Sequence, residues 1–179
     1  MHQDVEKILL SEETLARRIK EIGAKIDHDY QGKNLMMISI LKGSVVFMAD
    51  LMRAVSIPVK IDFMSVSSYG AGSQSSGQVK IIKDLDIPLQ GVDLLIVEDI
   101  LDSGITLYNI INLLKSRHPN SVKICTLLNK PERRQADIHG DYIGFDVPDE
   151  FVVGYGLDYA EQYRNLPYIG VLKRQVYEK

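Results

Sequence analysis

Apolar positions in this chain follow two periods in alternation. Ser11 has the hydroxyl of a helix N-cap, Glu12 and Glu13 follow it, and Leu15, Ile19, Ile22 and Ile26 then recur at helical spacing. That pattern predicts an amphipathic helix over about 11–30, its acids placed against the positive end of the dipole. Leu35–Leu41 is uniformly apolar, as a strand covered on both faces requires. Lys42-Gly43-Ser44 interrupts it, and Val45–Val55 predicts a second helix. Val59–Val66 alternates like a strand, Val79–Leu85 is another, and Val92–Val97 reads as the next buried strand. Thr106–Leu114 predicts a helix, Val122–Leu128 a strand, and Tyr142–Val147 and Phe151–Val153 two short strand-like pieces.

Strands alternating with helices predict an α/β fold with a mainly parallel sheet flanked by helices. Neither a repeat nor a linker breaks the pattern, so a single domain over residues 1–179 is expected. In such sheets ligands bind beyond the C-terminal strand ends, which singles out the segments after Leu41, after Val97 and after Leu128. Residues 67–77 change character to Ser-Ser-Tyr-Gly-Ala-Gly-Ser-Gln-Ser-Ser-Gly, the composition of a mobile loop.

Composition narrows the function classes. A net charge of -3 gives no basic excess for nucleic acid, although a local loop or a metal can still attract an anion. Cys125, the single cysteine, lies in an apolar strand and reads as a small core residue. His2, His28, His118 and His139 lack metal-ligand spacing. No apolar run approaches the roughly 20 residues that span a bilayer, and Met1–Lys7 has no signal-peptide pattern, so a cytoplasmic protein without a membrane partner is expected.

The strongest signal is Val97-Glu98-Asp99-Ile100-Leu101-Asp102-Ser103-Gly104-Ile105-Thr106. A buried strand runs into two acids and then into an Asp-Ser-Gly-Ile-Thr turn that opens a helix. Gly104 permits close backbone approach, and successive N–H groups at a helix start form a nest for phosphate. Ser103 and Thr106 add hydroxyl donors. Glu98 and Asp99 suit vicinal ribose hydroxyls, held directly or through magnesium, and Asp102 stands where it can accept a proton. Each feature alone is common in helix-capping loops; their succession is not.

This segment resembles the phosphoribosyl-pyrophosphate signature of the type I phosphoribosyltransferases. The chain from about Val5 to about Arg174 is similar to those members that act on hypoxanthine and guanine. The resemblance implies that fold, with a small base-binding hood formed mainly by the C-terminal part. It also implies transfer of a 5-phosphoribosyl group from phosphoribosyl pyrophosphate to a 6-oxopurine, with Mg2+ as cofactor and a homo-oligomer, dimer or tetramer. It assigns Asp102, Ser103, Gly104, Ile105 and Thr106 to the 5-phosphate, with Asp102 also the general base. Ile105 stands where other members carry a lysine, its backbone N–H remaining available. Lys42, Gly43 and Arg164 are assigned to pyrophosphate, and the Leu41–Lys42 peptide is often cis in the family. Ser68 and Tyr69 begin a lid over about 67–77. Lys130 donates to the purine 6-oxo group, Phe151 stacks on the base, Val152 reads its edge through backbone, and Asp158 joins Glu98 and Asp99 around magnesium. Two alternatives stand beside this reading: a non-catalytic sensor of phosphoribosyl pyrophosphate, and a phosphoribosyltransferase preferring xanthine.

Overall fold

The computed structural model describes residues 1–68 and 79–178. Its elements are β1 (Val5–Leu10), α1 (Glu12–Asp29), β2 (Leu35–Ile40), α2 (Val45–Ala54), β3 (Lys60–Ser68), β4 (Val79–Lys83), β5 (Asp93–Leu101), α3 (Ile105–Lys115), β6 (Ser121–Asn129), β7 (Tyr142–Asp146), β8 (Val152–Val153), β9 (Ile169–Leu172) and α4 (Arg174–Tyr177). A six-stranded sheet has the order β4-β3-β2-β5-β6-β7, and a three-stranded sheet the order β1-β9-β8. In the large sheet β3, β2, β5, β6 and β7 run parallel, and only β4 is antiparallel, to β3.

The uniformly apolar strands are covered on both faces. Met37, Leu95, Val97, Cys125 and Leu127 pack with Leu15, Ile19, Ile22 and Ile26 of α1 and with Phe47 and Leu51 of α2. Their strand neighbours Met36, Ile38, Leu94, Ile96 and Ile124 pack on the other side against Leu107, Ile110, Ile111 and Leu114 of α3. Burial of this kind contributes roughly 25 cal/mol per Å² of apolar surface. Cys125 is fully buried and burial pushes its thiol up, so it is core packing and not a nucleophile.

α1 is capped as its sequence predicts, the Ser11 hydroxyl accepting from the Thr14 N–H. Ser44 before α2 does something else: its hydroxyl donates to the Ile40 carbonyl at 2.6 Å and ties the strand exit to the helix start. Three elements depart from the sequence reading. β5 continues through the acids to Leu101, because Ile100 and Leu101 still pair with Leu128 and Asn129 of β6. The other two, β1 and β9, form the antiparallel core of the small sheet, so the chain's first strand joins pieces from its last thirty residues. Among the described residues, no helix is long and apolar enough to cross a membrane.

β4 is held at the sheet edge partly by charge. Arg117, just after α3, grips Asp84 through two parallel bonds of 2.7 and 2.8 Å, and the Leu85 N–H also donates to that carboxylate. These bonds, the Arg117 one first, hold the Asp84 carboxyl below its ordinary 3.8. A depressed carboxyl contributes stability above its unfolded value, lost as pH falls through the folded one. Asp84→Asn is therefore expected to destabilise the protein by at most about 1 kcal/mol at pH 7, the pair being partly exposed. Urea denaturation at pH 7 and at pH 3 checks this: the gap between wild type and variant should narrow in acid, and a gap independent of pH refutes it.

Candidate active site

Three strand ends meet along the crest of the large sheet. At the first, β2 ends at Ile40 and the Leu41–Lys42 peptide is cis. Gly43 follows, and a Cβ there would lie 1.8 Å from Asp99 Oδ2, so only glycine lets this turn rest against the β5 carboxylate. A Cβ on Gly156 would in turn lie 2.1 Å from the Gly43 carbonyl oxygen, and Gly156 has φ +98. The Gly43 turn thus rests on the Asp99 carboxylate on one side and on the Gly156 backbone on the other.

Because β5 continues past them, Glu98 and Asp99 leave opposite faces of the strand. Glu98 lines a cavity of about 210 Å³ with Ile40, Ile100, Asp102, Ser103, Gly104 and Thr106. Burial, reinforced by neighbouring Asp99, pushes its carboxyl well above the ordinary range. Asp99 faces the Gly43 turn, and burial raises it to about 6 against the opposing hydrogen bond from the Ile100 N–H and the charge of Arg164. No lysine or arginine among the described residues lies within ion-pair distance of either acid. Two adjacent carboxylates without a countercharge are costly to ionise, so the pair is short of positive charge.

The cavity's far wall is the β5–α3 loop. Gly104 adopts φ +78, and a Cβ on it would come within 2.5 Å of Ile138, so the turn requires glycine. α3 starts at Ile105 with no side-chain cap, leaving its first N–H groups at the cavity. The loop's carbonyls point the other way. Arg134 donates to Asp102 O at 2.9 Å, Leu101 O at 3.1 Å, Ile138 O at 2.6 Å and Asn129 Oδ1 at 2.6 Å. Gln135 and Ala136 both donate their N–H to Ser103 O, at 2.9 and 3.1 Å. With its carbonyls occupied behind, the loop presents N–H groups and hydroxyls in front, the polarity an anion needs. Asp102 Oδ1 is buried and accepts no hydrogen bond; Arg133 Nε is 3.1 Å away, but its N–H is not directed at it.

At the third strand end Lys130 is buried, 5% exposed, and not a solvated surface lysine. Its ammonium donates to Glu150 O at 2.7 Å, next to Phe151 and Val152. Phe151 is 37% exposed, with Tyr177 stacked on it at 4.7 Å and Tyr159 edge-on at 5.6 Å. Val152 is in β8, and its side chain faces the core that includes Ile100.

Beyond the crest the cations are already engaged. Lys42 Nζ lies 2.9 Å from Glu161, Arg164 lies 3.0 Å from Asp158 and 3.4 Å from Glu161, and Arg164 also donates to Gly156 O at 2.8 Å. Lys42 foremost holds the Glu161 carboxyl below its ordinary value. Asp158 further accepts from the Glu161 N–H at 2.9 Å.

The structure therefore brings Lys42, Gly43, Glu98, Asp99, Asp102–Thr106, Asp158 and Arg164 to one end of the sheet, with Lys130, Phe151 and Val152 at its β6–β8 side. Tyr69, the Ser68 side chain and the rest of 67–77, except Ser67, lie outside the described residues. Glu98 and Asp99, assigned to magnesium with Asp158, come from β5, and Asp158 from the segment after Gly156. Alternation along β5 separates the first two, and among the described residues no three such groups converge. The chemistry still fits a hard cation, since every donor is oxygen and the buried acids lack positive charge. Sequence reasoning missed Arg134 and Glu161. Both sit in charged stretches that look solvated, Glu-Arg-Arg and Glu-Gln-Tyr-Arg, and only the folded geometry distinguishes them.

Comparison with known proteins agrees with this architecture. Residues 6–160 match the family described as phosphoribosyl transferase domain. The chain is 56% identical over 178 residues to the hypoxanthine-guanine phosphoribosyltransferase of Bacillus subtilis, covering 99% of each. It is 52% identical to the bifunctional protein TilS/HprT of Listeria monocytogenes, where all of this chain matches 28% of that longer protein. A solved hypoxanthine phosphoribosyltransferase from Staphylococcus aureus superposes with a TM-score of 0.98 at 55% identity, covering 100% of this chain and 97% of that one.

Removing the Arg134 guanidinium takes the donor from Asp102 O, Ile138 O and Asn129 Oδ1, while Leu101 O keeps the Lys130 N–H. Arg134→Met is expected to cost roughly 2–4 kcal/mol, from lost charged hydrogen bonds and orphaned buried carbonyls. Urea denaturation measures it; a loss under about 0.5 kcal/mol means the loop holds its shape without this residue.

Proposed function

The chain belongs to the phosphoribosyl transferase family, and from that membership we propose that it joins hypoxanthine or guanine to the ribose 5-phosphate of phosphoribosyl pyrophosphate. The products are IMP or GMP and pyrophosphate, a purine salvage reaction. The observation that carries the reading is the β5–α3 loop: its carbonyls are tied back, its N–H groups open on a cavity, and the Asp102 Oδ1 beside it, paired in charge with Arg133, accepts no hydrogen bond.

In this reading the N–H groups of Ser103–Thr106, with the two hydroxyls, hold the 5-phosphate. Glu98 and Asp99 hold the ribose hydroxyls. Lys42, the Gly43 backbone and Arg164 bind pyrophosphate. Glu98, Asp99 and Asp158 would hold Mg2+, which when bound neutralises charge on the departing pyrophosphate. The Lys130 ammonium has three N–H donors and uses one on Glu150 O, so it can also donate to a 6-oxo group. Adenine presents an amino group there and is disfavoured by a donor facing a donor. The bond from C1′ to pyrophosphate breaks with its electron pair leaving on oxygen, and N9 of the base bonds to C1′. The N7 proton passes to Asp102. Catalysis here is mostly positioning and electrostatics.

A lid over about 67–77, begun by Ser68 and Tyr69, would shield the ribose from water; this part rests on the sequence. The same reading carries a single domain with its hood, a cytoplasmic location and a homo-oligomer.

The test is nucleotide formation from phosphoribosyl pyrophosphate, with and without Mg2+, when hypoxanthine, guanine, xanthine and adenine are offered separately. Turnover of hypoxanthine and guanine that needs Mg2+ and excludes adenine is the expected result. A higher rate with xanthine moves the substrate assignment. No turnover, with phosphoribosyl pyrophosphate still bound, leaves the sensor. Asp102→Asn is expected to lower kcat by about a hundredfold with folding intact, the usual loss for a general base; unchanged turnover removes Asp102 from that role. Glu161 competes with pyrophosphate for Lys42 and Arg164. Glu161→Gln is expected to lower KM for phosphoribosyl pyrophosphate by at most about fivefold at low salt, since exposed pairs are weak, and the gain should fade at high ionic strength. A raised KM would instead make Glu161 part of the binding surface.

A further inference from the structure

The face of Phe151 turned toward Tyr177 has no part in the reading above, yet it makes a stacked aromatic contact where its Tyr159 neighbour meets it edge-on. The rings lie 4.7 Å apart at 23°, a near-parallel stack. Main-chain bonds bring them together. Leu172 N–H donates to Phe151 O at 2.8 Å, so the end of β9 is fastened beside Phe151. Lys173 N–H then donates to Asp4 O at 2.9 Å, and the single turn of α4 places Tyr177 over the ring. Tyr159 closes one edge at 5.6 Å and 88°.

We propose that Tyr177 is a positioning residue for the base: stacked on the outer face of Phe151, it holds that ring so that the inner face can take a 6-oxopurine. The proposal rests on the function inferred above. An aromatic ring has two faces, and Tyr177 takes one while Phe151 keeps 37% of its surface open. The packing sets the side on which each ring lies. Tyr177 and Tyr159 belong to the hood's own cluster with Val5, Val153 and Leu172, whereas Val152, beside Phe151, turns to the cluster containing Ile100 at the crest. With Tyr177 on one face of Phe151 and Tyr159 at its edge, the opposite face is the one left for the base. A ring fixed before binding loses no rotamer freedom when the base arrives, which favours affinity without any contact between Tyr177 and substrate. Among the described residues the Tyr177 hydroxyl makes no hydrogen bond, so the flat ring is what matters.

Tyr177→Ala is expected to raise KM for hypoxanthine and guanine about two- to tenfold, the range set by an aromatic pair. Its kcat and its KM for phosphoribosyl pyrophosphate should stay within about twofold. Tyr177→Phe should match the wild type, and Tyr177→Leu, which fills the hood but cannot stack, should behave like alanine. Binding of guanosine 5′-monophosphate by calorimetry, run on the same four proteins, should weaken in parallel, and it reads the stack whether or not the wild type turns over. An unchanged base KM, or full rescue by leucine, overturns the proposal. A lowered base KM overturns it in the other direction, with Tyr177 competing for the purine's place. Absence of turnover in the wild type itself counts against the enzyme reading alone.

Discussion

The Arg134 guanidinium sets the polarity of the whole site. A backbone loop carries equal numbers of donors and acceptors, so it attracts an anion only if its acceptors are taken elsewhere. Here one side chain reaches Leu101 O, Asp102 O and Ile138 O at once, and the following backbone takes Ser103 O. The positive φ of Gly104 then lets the chain reverse into α3, whose first turn borders the cavity. A planar arginine with five donors can do this; a lysine, with a single ammonium, cannot span the same four acceptors. Both partners of this arrangement are sheet-borne, since Leu101 and Asn129 are the paired ends of β5 and β6. The loop's shape is thus inherited from strand register.

The same ends distribute charge unevenly. Toward β5 lie two carboxyl groups without an ion-pair partner, both pushed up by burial and Glu98 further by the charge of Asp99. A few residues away lie Lys42 and Arg164, each satisfied by a carboxylate from residues 158–161. A polyanion accompanied by a divalent cation corrects both at one stroke, the cation beside the acids and the anion beside the lysine and arginine. Such a pair of ligands would offset the cost of keeping the two half-buried acids without a countercharge.

Much of this was legible in the sequence, for physical reasons that also explain the gaps. Leu15, Ile19, Ile22 and Ile26 report α1 because one buried face imposes one period, and Leu35–Leu41 reports a central strand because both its faces are covered. Burial leaves no such mark on Val5–Leu10, where Glu6 and Lys7 are exposed, or on Ile169–Leu172, whose pairing partner lies about 160 residues away. The Val97–Thr106 motif was readable because its chemistry is contiguous. The extension of β5 through Glu98 and Asp99 was not, since acids seldom continue a strand and only pairing with β6 keeps them there. Arg134 and Glu161 escaped notice for one reason: each acts on backbone or charge that only the fold brings near, and a lone charged residue carries no period.

In the hood a binding surface is assembled from such silent segments, and its packing bears the consequence. Its sheet joins β1 to β8 and β9, and its apolar cluster takes Val5 from one end of the chain and Val176 and Tyr177 from the other. Three strands of six, two and four residues are too little sheet to be stable alone. It is held to the large sheet from beneath, where Val152, Ile169 and Val171 enter the core shared with α1 and Ile100. Rigidity in such a layer has to come from side chains, which is why its contacts are aromatic: each large flat ring fixes a neighbour while losing little freedom of its own. The β5–α3 loop is held by hydrogen bonds to its carbonyls and the hood by stacked rings. A ligand with an anionic end and a flat apolar end is the shape that uses both.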